Sequence, residues 1–132
     1  MRTPTDLRPA WSRAFSLIEL LVVMAIVGTL LSIVAPRYFS HLDRAKEVVL
    51  RTNLATIRDA IDKYHADKGR YPESLSLLTA ERYLRELPVD PMTERADTWL
   101  AVPPPGTAEA LVHDVRSGSA GVGSDGRRFT EW

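Results

Sequence analysis

The sequence predicts an α+β fold, with one long N-terminal helix packed on a small C-terminal antiparallel sheet. Three observations predict it. Residues 15–35 form an apolar run interrupted by a single charge, Glu19. Residues 37–68 repeat apolar side chains at three- and four-residue steps, the period of one helix face. Beyond residue 97, short β-prone stretches alternate with Pro- and Gly-rich breaks, the punctuation of strands and turns. At 132 residues the chain holds one small core beside its apolar segment, not two cores.

The opening segment, Met1 to Ala14, is basic through Arg2, Arg8 and Arg13. The run that follows, FSLIELLVVMAIVGTLLSIVA from Phe15 to Ala35, makes a helix of roughly 31 Å, close to the ~30 Å hydrocarbon thickness of a lipid bilayer. An ionised carboxylate costs on the order of 3 kcal/mol at the bilayer centre and less near a helix end. A chain that keeps Glu19 there has a use for it, and the amino group released by cleavage next to Phe15 is a partner within reach. Leaving either charge unpaired in low dielectric is costly, whereas pairing recovers much of the desolvation penalty. Gly28 and Pro36 are weak points of this helix. Proline removes a backbone hydrogen bond and crowds the preceding turn, so a kink is expected rather than a stop. Pro36 also reads as the membrane exit, with Arg37 and Tyr38 as interfacial anchors, and the two readings are compatible.

From Arg37 to Lys68 the helix turns amphipathic. Leu50, Leu54, Ile57, Ile61 and Tyr64 fall on one face. Glu47 with Arg51, Asp59 with Lys63, and Lys63 with Asp67 are expected to pair across the solvated side, a weak support of helicity rather than a site. Gly69 suits a C-terminal cap, giving a helix of roughly 80 Å from Phe15 to Lys68. Gly69-Arg70-Tyr71-Pro72 reads as a turn, Glu73 to Thr79 as a short helix with Leu75, Leu77 and Leu78 as contacts, and Met92 to Asp97 as a loop. Thr98–Val102, Ala110–Arg116 and Arg127–Trp132 are the expected strands, packed on the helix because three strands alone are marginal. Trp99, Phe129 and Trp132 are expected as core or subunit contacts.

The contiguous Phe15-Ser16-Leu17-Ile18-Glu19, the basic leader before it and the apolar run after it resemble the prepilin signature of type IV pilins and type II secretion pseudopilins. Gly69-Arg70-Tyr71-Pro72, followed by Leu87-Pro88-Val89-Asp90-Pro91, is similar to the major, protein G-like pseudopilins. Ala14 stands where that family usually has Gly. The resemblance implies that a prepilin peptidase cuts after Ala14 and that Phe15 is N-methylated. Four segments follow from it: a cleaved leader at 1–14, a transmembrane and assembly helix at 15–35, its amphipathic continuation at 36–69, and a periplasmic head at 70–132. It further implies a non-enzymatic, single-pass inner-membrane protein of bacteria. Such a subunit would form a homopolymer with other pseudopilins or pilins on an inner-membrane assembly platform, serving type II protein secretion. Glu19 would meet the amino group of Phe15, and the helix would unwind between Gly28 and Pro36. A type IV or minor pilin for adhesion, motility or DNA uptake is the alternative, although many of those close their terminal region with a disulfide. A signal-anchored binding module that never polymerises is a second alternative.

Major pseudopilins bind calcium in a C-terminal loop, and the resemblance therefore implies Asp114 and Asp125 as ligands around the glycine-rich 117–126. The alternative is a flexible turn between strands, with Asp125-Gly126 supplying its geometry. This loop is poor in acids.

Bulk properties exclude other classes. Formal charge is +0, and loss of the leader's three Arg and one Asp leaves about −2, so nothing resembles the basic footprint of a nucleic-acid binder. There are no cysteines, so the fold is stabilised without the disulfides common in oxidising compartments. Gly121-x-Gly123-x-x-Gly126 formally matches a dinucleotide fingerprint, but too few residues follow it to complete a βαβ unit. His41 and His65 would lie roughly 36 Å apart on one helix and share no metal. No motif places a hydrolytic triad.

Overall fold

The computed structural model describes residues 16–132. Helix α1 runs over Leu17–Lys68 and passes through Pro36 without stopping. The chain divides into two compact units, Met1–Phe39, of which residues 16–39 are described, and Ser40–Trp132.

In the first unit the apolar character of the sequence surfaces directly. Leu17, Ile18, Leu21, Met24, Ile26, Leu30, Leu31 and Ile33 are all exposed, and α1 is long and apolar enough there to cross a membrane. Two hydroxyls turn back onto the helix, Thr29 Oγ1 onto the Ala25 carbonyl at 2.8 Å and Ser32 Oγ onto that of Thr29 at 2.7 Å. Such back-bonding competes with the backbone ladder and bends helices. It occurs next to Gly28 and just ahead of Pro36, whose missing N–H leaves the Ser32 carbonyl without its i+4 donor.

In the second unit α1 buries one face. Leu50, Leu54, Ile57, Ile61 and Tyr64, the expected set, are joined there by Ala60. Burying this stripe is what makes a helix of otherwise ordinary propensity stable. Gly69 ends α1 at φ +70, donating its N–H to the His65 carbonyl at 2.9 Å, the left-handed cap expected of it. Helix α2, Leu75–Ala80, buries Leu78 against α1's face and packs Leu75 and Leu77 beside it. Leu84, Trp99, Val112, Val115 and Phe129 complete the core.

The sheet has two antiparallel strands, β1 (Leu100–Val102) and β2 (Asp114–Arg116), with Ala101 opposite Val115. The third expected strand, within Arg127–Trp132, is instead a 3-10 turn over Phe129–Glu131, preceded by a single Val122–Arg128 bridge. Its aromatic spacing explains the difference. A strand would send Phe129 and Trp132 to opposite faces, whereas i and i+3 eclipse in a 3-10 helix. Both rings thereby turn the same way, edge to face at 5.0 Å, and Phe129 enters the core.

Candidate functional site

Two places carry the site residues expected from the sequence. The first is the start of α1. Ala14 and Phe15 lie outside the described residues. Ser16 stands immediately before the helix, and its Oγ accepts the backbone N–H of Glu19 at 3.2 Å. Its carbonyl accepts the N–H of Leu20 at 3.2 Å. Ser16 is thus an N-cap in a sequence of capping-box spacing, Ser16-x-x-Glu19: the serine satisfies the third helical N–H. Sequence reasoning assigned Glu19 a role and gave Ser16 none, although the S-x-x-E spacing signals it. The helix's positive N-terminal end also favours a carboxylate in its first turn. The Glu19 carboxylate therefore has one local support, the helix end, apart from any amino-group partner. Around Gly28 nothing lies within 4 Å of where a Cβ would stand, so this face is bare backbone.

The second place is the segment 114–132, held along one flank of α1. Glu47, Arg51 and Arg58 recur at steps of four and seven, which brings them to the same side of a helix. The Glu47 carboxylate accepts the Ser124 N–H at 2.7 Å and its hydroxyl at 2.6 Å. The Arg51 guanidinium lies 4.4 Å from the Trp132 ring centroid and 3.7 Å from Asp125 Oδ2. Arg58 donates to Asp114 Oδ1 at 2.7 Å, to the Val115 carbonyl at 2.9 Å and to a main-chain oxygen of Trp132 at 2.7 Å. The expected Glu47–Arg51 pair is thereby replaced by contacts to the loop. Asp67 is likewise engaged by Tyr83, whose hydroxyl donates to it at 2.8 Å, while Asp59–Lys63 forms as expected at 2.7 Å. That bond to Asp67, with lesser help from desolvation, pushes the Tyr83 phenol up to about 12.

Asp114 and Asp125 do not fit a shared calcium site. Calcium takes six to eight oxygens at about 2.3–2.6 Å. Asp114 Oδ1 is occupied by Arg58 and by the Val115 N–H at 2.7 Å. Asp125 Oδ1 accepts the Arg127 N–H at 3.0 Å and Oδ2 faces Arg51. Their arginine partners stand seven residues apart on α1, about 10 Å of rise, so the carboxylates do not converge. Among the described residues no group of three or more His, Asp or Glu is placed to hold a metal.

One residue inside the Leu-Pro-Val-Asp-Pro segment proves structural. Asp90 is fully buried and takes the Ser117 hydroxyl on Oδ2 at 2.5 Å and the Met92 N–H on Oδ1 at 2.9 Å. Its backbone closes the 90–95 turn against Arg95. Trp99 Nε1 and Asn53 Nδ2 bind the carbonyls of Pro88 and Val89, at 2.7 and 2.8 Å. Just after Ser117, a Cβ on Gly118 would lie 2.0 Å from the Thr98 carbonyl oxygen. Here the glycine permits close backbone approach.

Residues 12–35 match the family described as the prokaryotic N-terminal methylation motif. The chain is 34% identical over 93 residues to type II secretion system core protein G of Pseudomonas aeruginosa, covering 58% of this chain and 66% of that protein. It is 30% identical over 135 aligned positions to type II secretion system core protein G of Escherichia coli K12, covering 90% of this chain and 86% of that protein. The type IV major pilin protein PilA of Myxococcus xanthus is 36% identical over 62 residues, 47% of this chain and 28% of that protein. No solved structure matches the chain. A near full-length relation to one core protein G, and a methylation motif leading into the apolar helix, place the chain in the type II secretion system core protein G family of pseudopilins.

Proposed function

We propose that the chain is a non-enzymatic filament subunit of type II secretion, cut after Ala14 by a prepilin peptidase, methylated at Phe15 and polymerised through residues 15–35. The observation that carries this reading is the uncovered apolar face of α1 between Leu17 and Val34, led by a capped turn bearing Glu19. A soluble domain rarely exposes an apolar surface of that extent, so a bilayer first and identical helices afterwards are what it fits. Before assembly the protein would sit in the inner membrane with residues 40–132 in the periplasm. During assembly on the inner-membrane platform, Glu19 would pair with the Phe15 ammonium, and wrongly inserted subunits would leave that charge unmatched. The Gly28–Pro36 stretch, with its back-bonded Thr29 and Ser32, is where the helix would unwind.

Mass spectrometry of the protein purified from its host membrane tests processing. Loss of Met1–Ala14 with a methylated Phe15 is expected, and an intact leader would favour a signal-anchored module. Filament formation by Glu19→Ala tests assembly: a large loss is expected, and undiminished filaments would remove the registry role. The match to a type IV major pilin over 62 residues favours a pilus as the second reading. Cell-surface fibres without any defect in protein secretion on deletion would support it.

A further inference from the structure

We infer that this pseudopilin does with the guanidinium groups of Arg51 and Arg58 what the family resemblance assigns to a calcium ion, so that its 114–132 segment is fixed without a divalent cation. The acceptors gathered on Arg58 carry the inference. One carboxylate oxygen, from Asp114, and two main-chain oxygens, from Val115 and Trp132, converge on a single cation at 2.7–2.9 Å. Carboxylate and carbonyl oxygens are the ligands a glycine-rich calcium loop offers. Here those lone pairs are already directed at nitrogen, and two cations cannot share them without repulsion.

A planar fork of five donors suits this arrangement, because Arg58 reaches side-chain and main-chain oxygens with separate nitrogens. Seven residues earlier, Arg51 repeats the motif more loosely, facing Asp125 and stacking on Trp132. Glu47 completes the flank by holding Ser124 through both carboxylate oxygens. The loop's own charges are already balanced: between Ser117 and Trp132 the acids are Asp125 and Glu131, set against Arg127 and Arg128. Calcium affinity rises with the number of coordinating charges, and this loop offers too few. A guanidinium remains charged at every accessible pH and cannot be chelated.

The inference does not rest on the filament reading, and its test is independent of assembly. The full-length protein in detergent is melted in millimolar calcium, in millimolar magnesium and in excess chelator, following tryptophan fluorescence. A melting temperature unchanged within about 1 °C across all three is expected. A site saturated a hundredfold above its Kd would raise it by roughly 10 °C or more. Any such calcium-specific rise overturns the inference, and this comparison needs no variant to fold. Arg58→Met keeps most of the aliphatic stem and removes the fork. It is expected to lower the melting temperature by roughly 5–10 °C, with Arg58→Lys intermediate and calcium restoring neither. Wild-type melting of Arg58→Met, or its full rescue by calcium, would equally overturn the assignment.

Discussion

Helix α1 contains two stretches that the chain treats differently. Between Leu17 and Val34 large apolar residues stand exposed on all sides, whereas between Leu50 and Tyr64 they occupy one face and are buried. Both are continuous α-helix. What differs is the covering: the second stretch is covered by the chain's own α2, β2 and loops, the first by nothing among the described residues. Apolar side chains arranged all round a helix call for an apolar surround, whereas a stripe calls for one packed layer. The first stretch should therefore matter for assembly and the second for folding.

The largest expected contrast comes from truncating one residue in each. Ile57→Ala, at a fully buried position, should cost about 2–5 kcal/mol in denaturant unfolding of the full chain. Leu21→Ala, at a position 60% exposed, should change the same transition by less than about 0.5 kcal/mol while weakening filament formation. Equal effects would erase the distinction. The covering layer itself hangs on polar keystones, and Asp90→Ala should destabilise it by about 1.5–3 kcal/mol, because the buried Ser117 hydroxyl and the Met92 N–H are left without their acceptor. Ser117→Ala should cost less. A neutral Asp90→Ala would make the 87–97 segment a passenger on the core.

Tyr83 offers the finest discrimination. Its neutral phenol donates to Asp67, so the folded chain keeps a proton that the unfolded chain loses between 10.0 and about 12. The unfolded state then binds fewer protons, and stability falls as pH rises through that window. The contribution is complete below pH 10.0. Tyr83→Phe should flatten the alkaline limb of a stability–pH profile while leaving neutral filament assembly unchanged. A limb of unaltered slope would assign the alkaline loss to other groups.

Much of this was readable along the chain, for a physical reason. Helix existence, its apolar and amphipathic halves, five of the six residues of its buried face and the Gly69 cap depend on neighbours within four or five positions. The Phe-Ser-Leu-Ile-Glu signature and the Leu-Pro-Val-Asp-Pro segment are likewise contiguous. The same local rules expected Glu47 to pair with Arg51 and Lys63 with Asp67. A helix-surface pair is weak, and it yields wherever a distant segment supplies better partners. Ser124 took Glu47 across 77 positions, and Tyr83 took Asp67 across 16.

The sequence by itself determined the long helix, where its character changes and which face it buries, because periodicity is a property of adjacent residues. The fate of the polar groups was decided only in three dimensions. Asp114 and Asp125 became arginine partners rather than joint ligands, Asp90 became a buried tether, and the last expected strand became a 3-10 turn. Each of those outcomes depends on which oxygen, nitrogen or ring the folded chain brings within reach, and no spacing along the sequence specifies that.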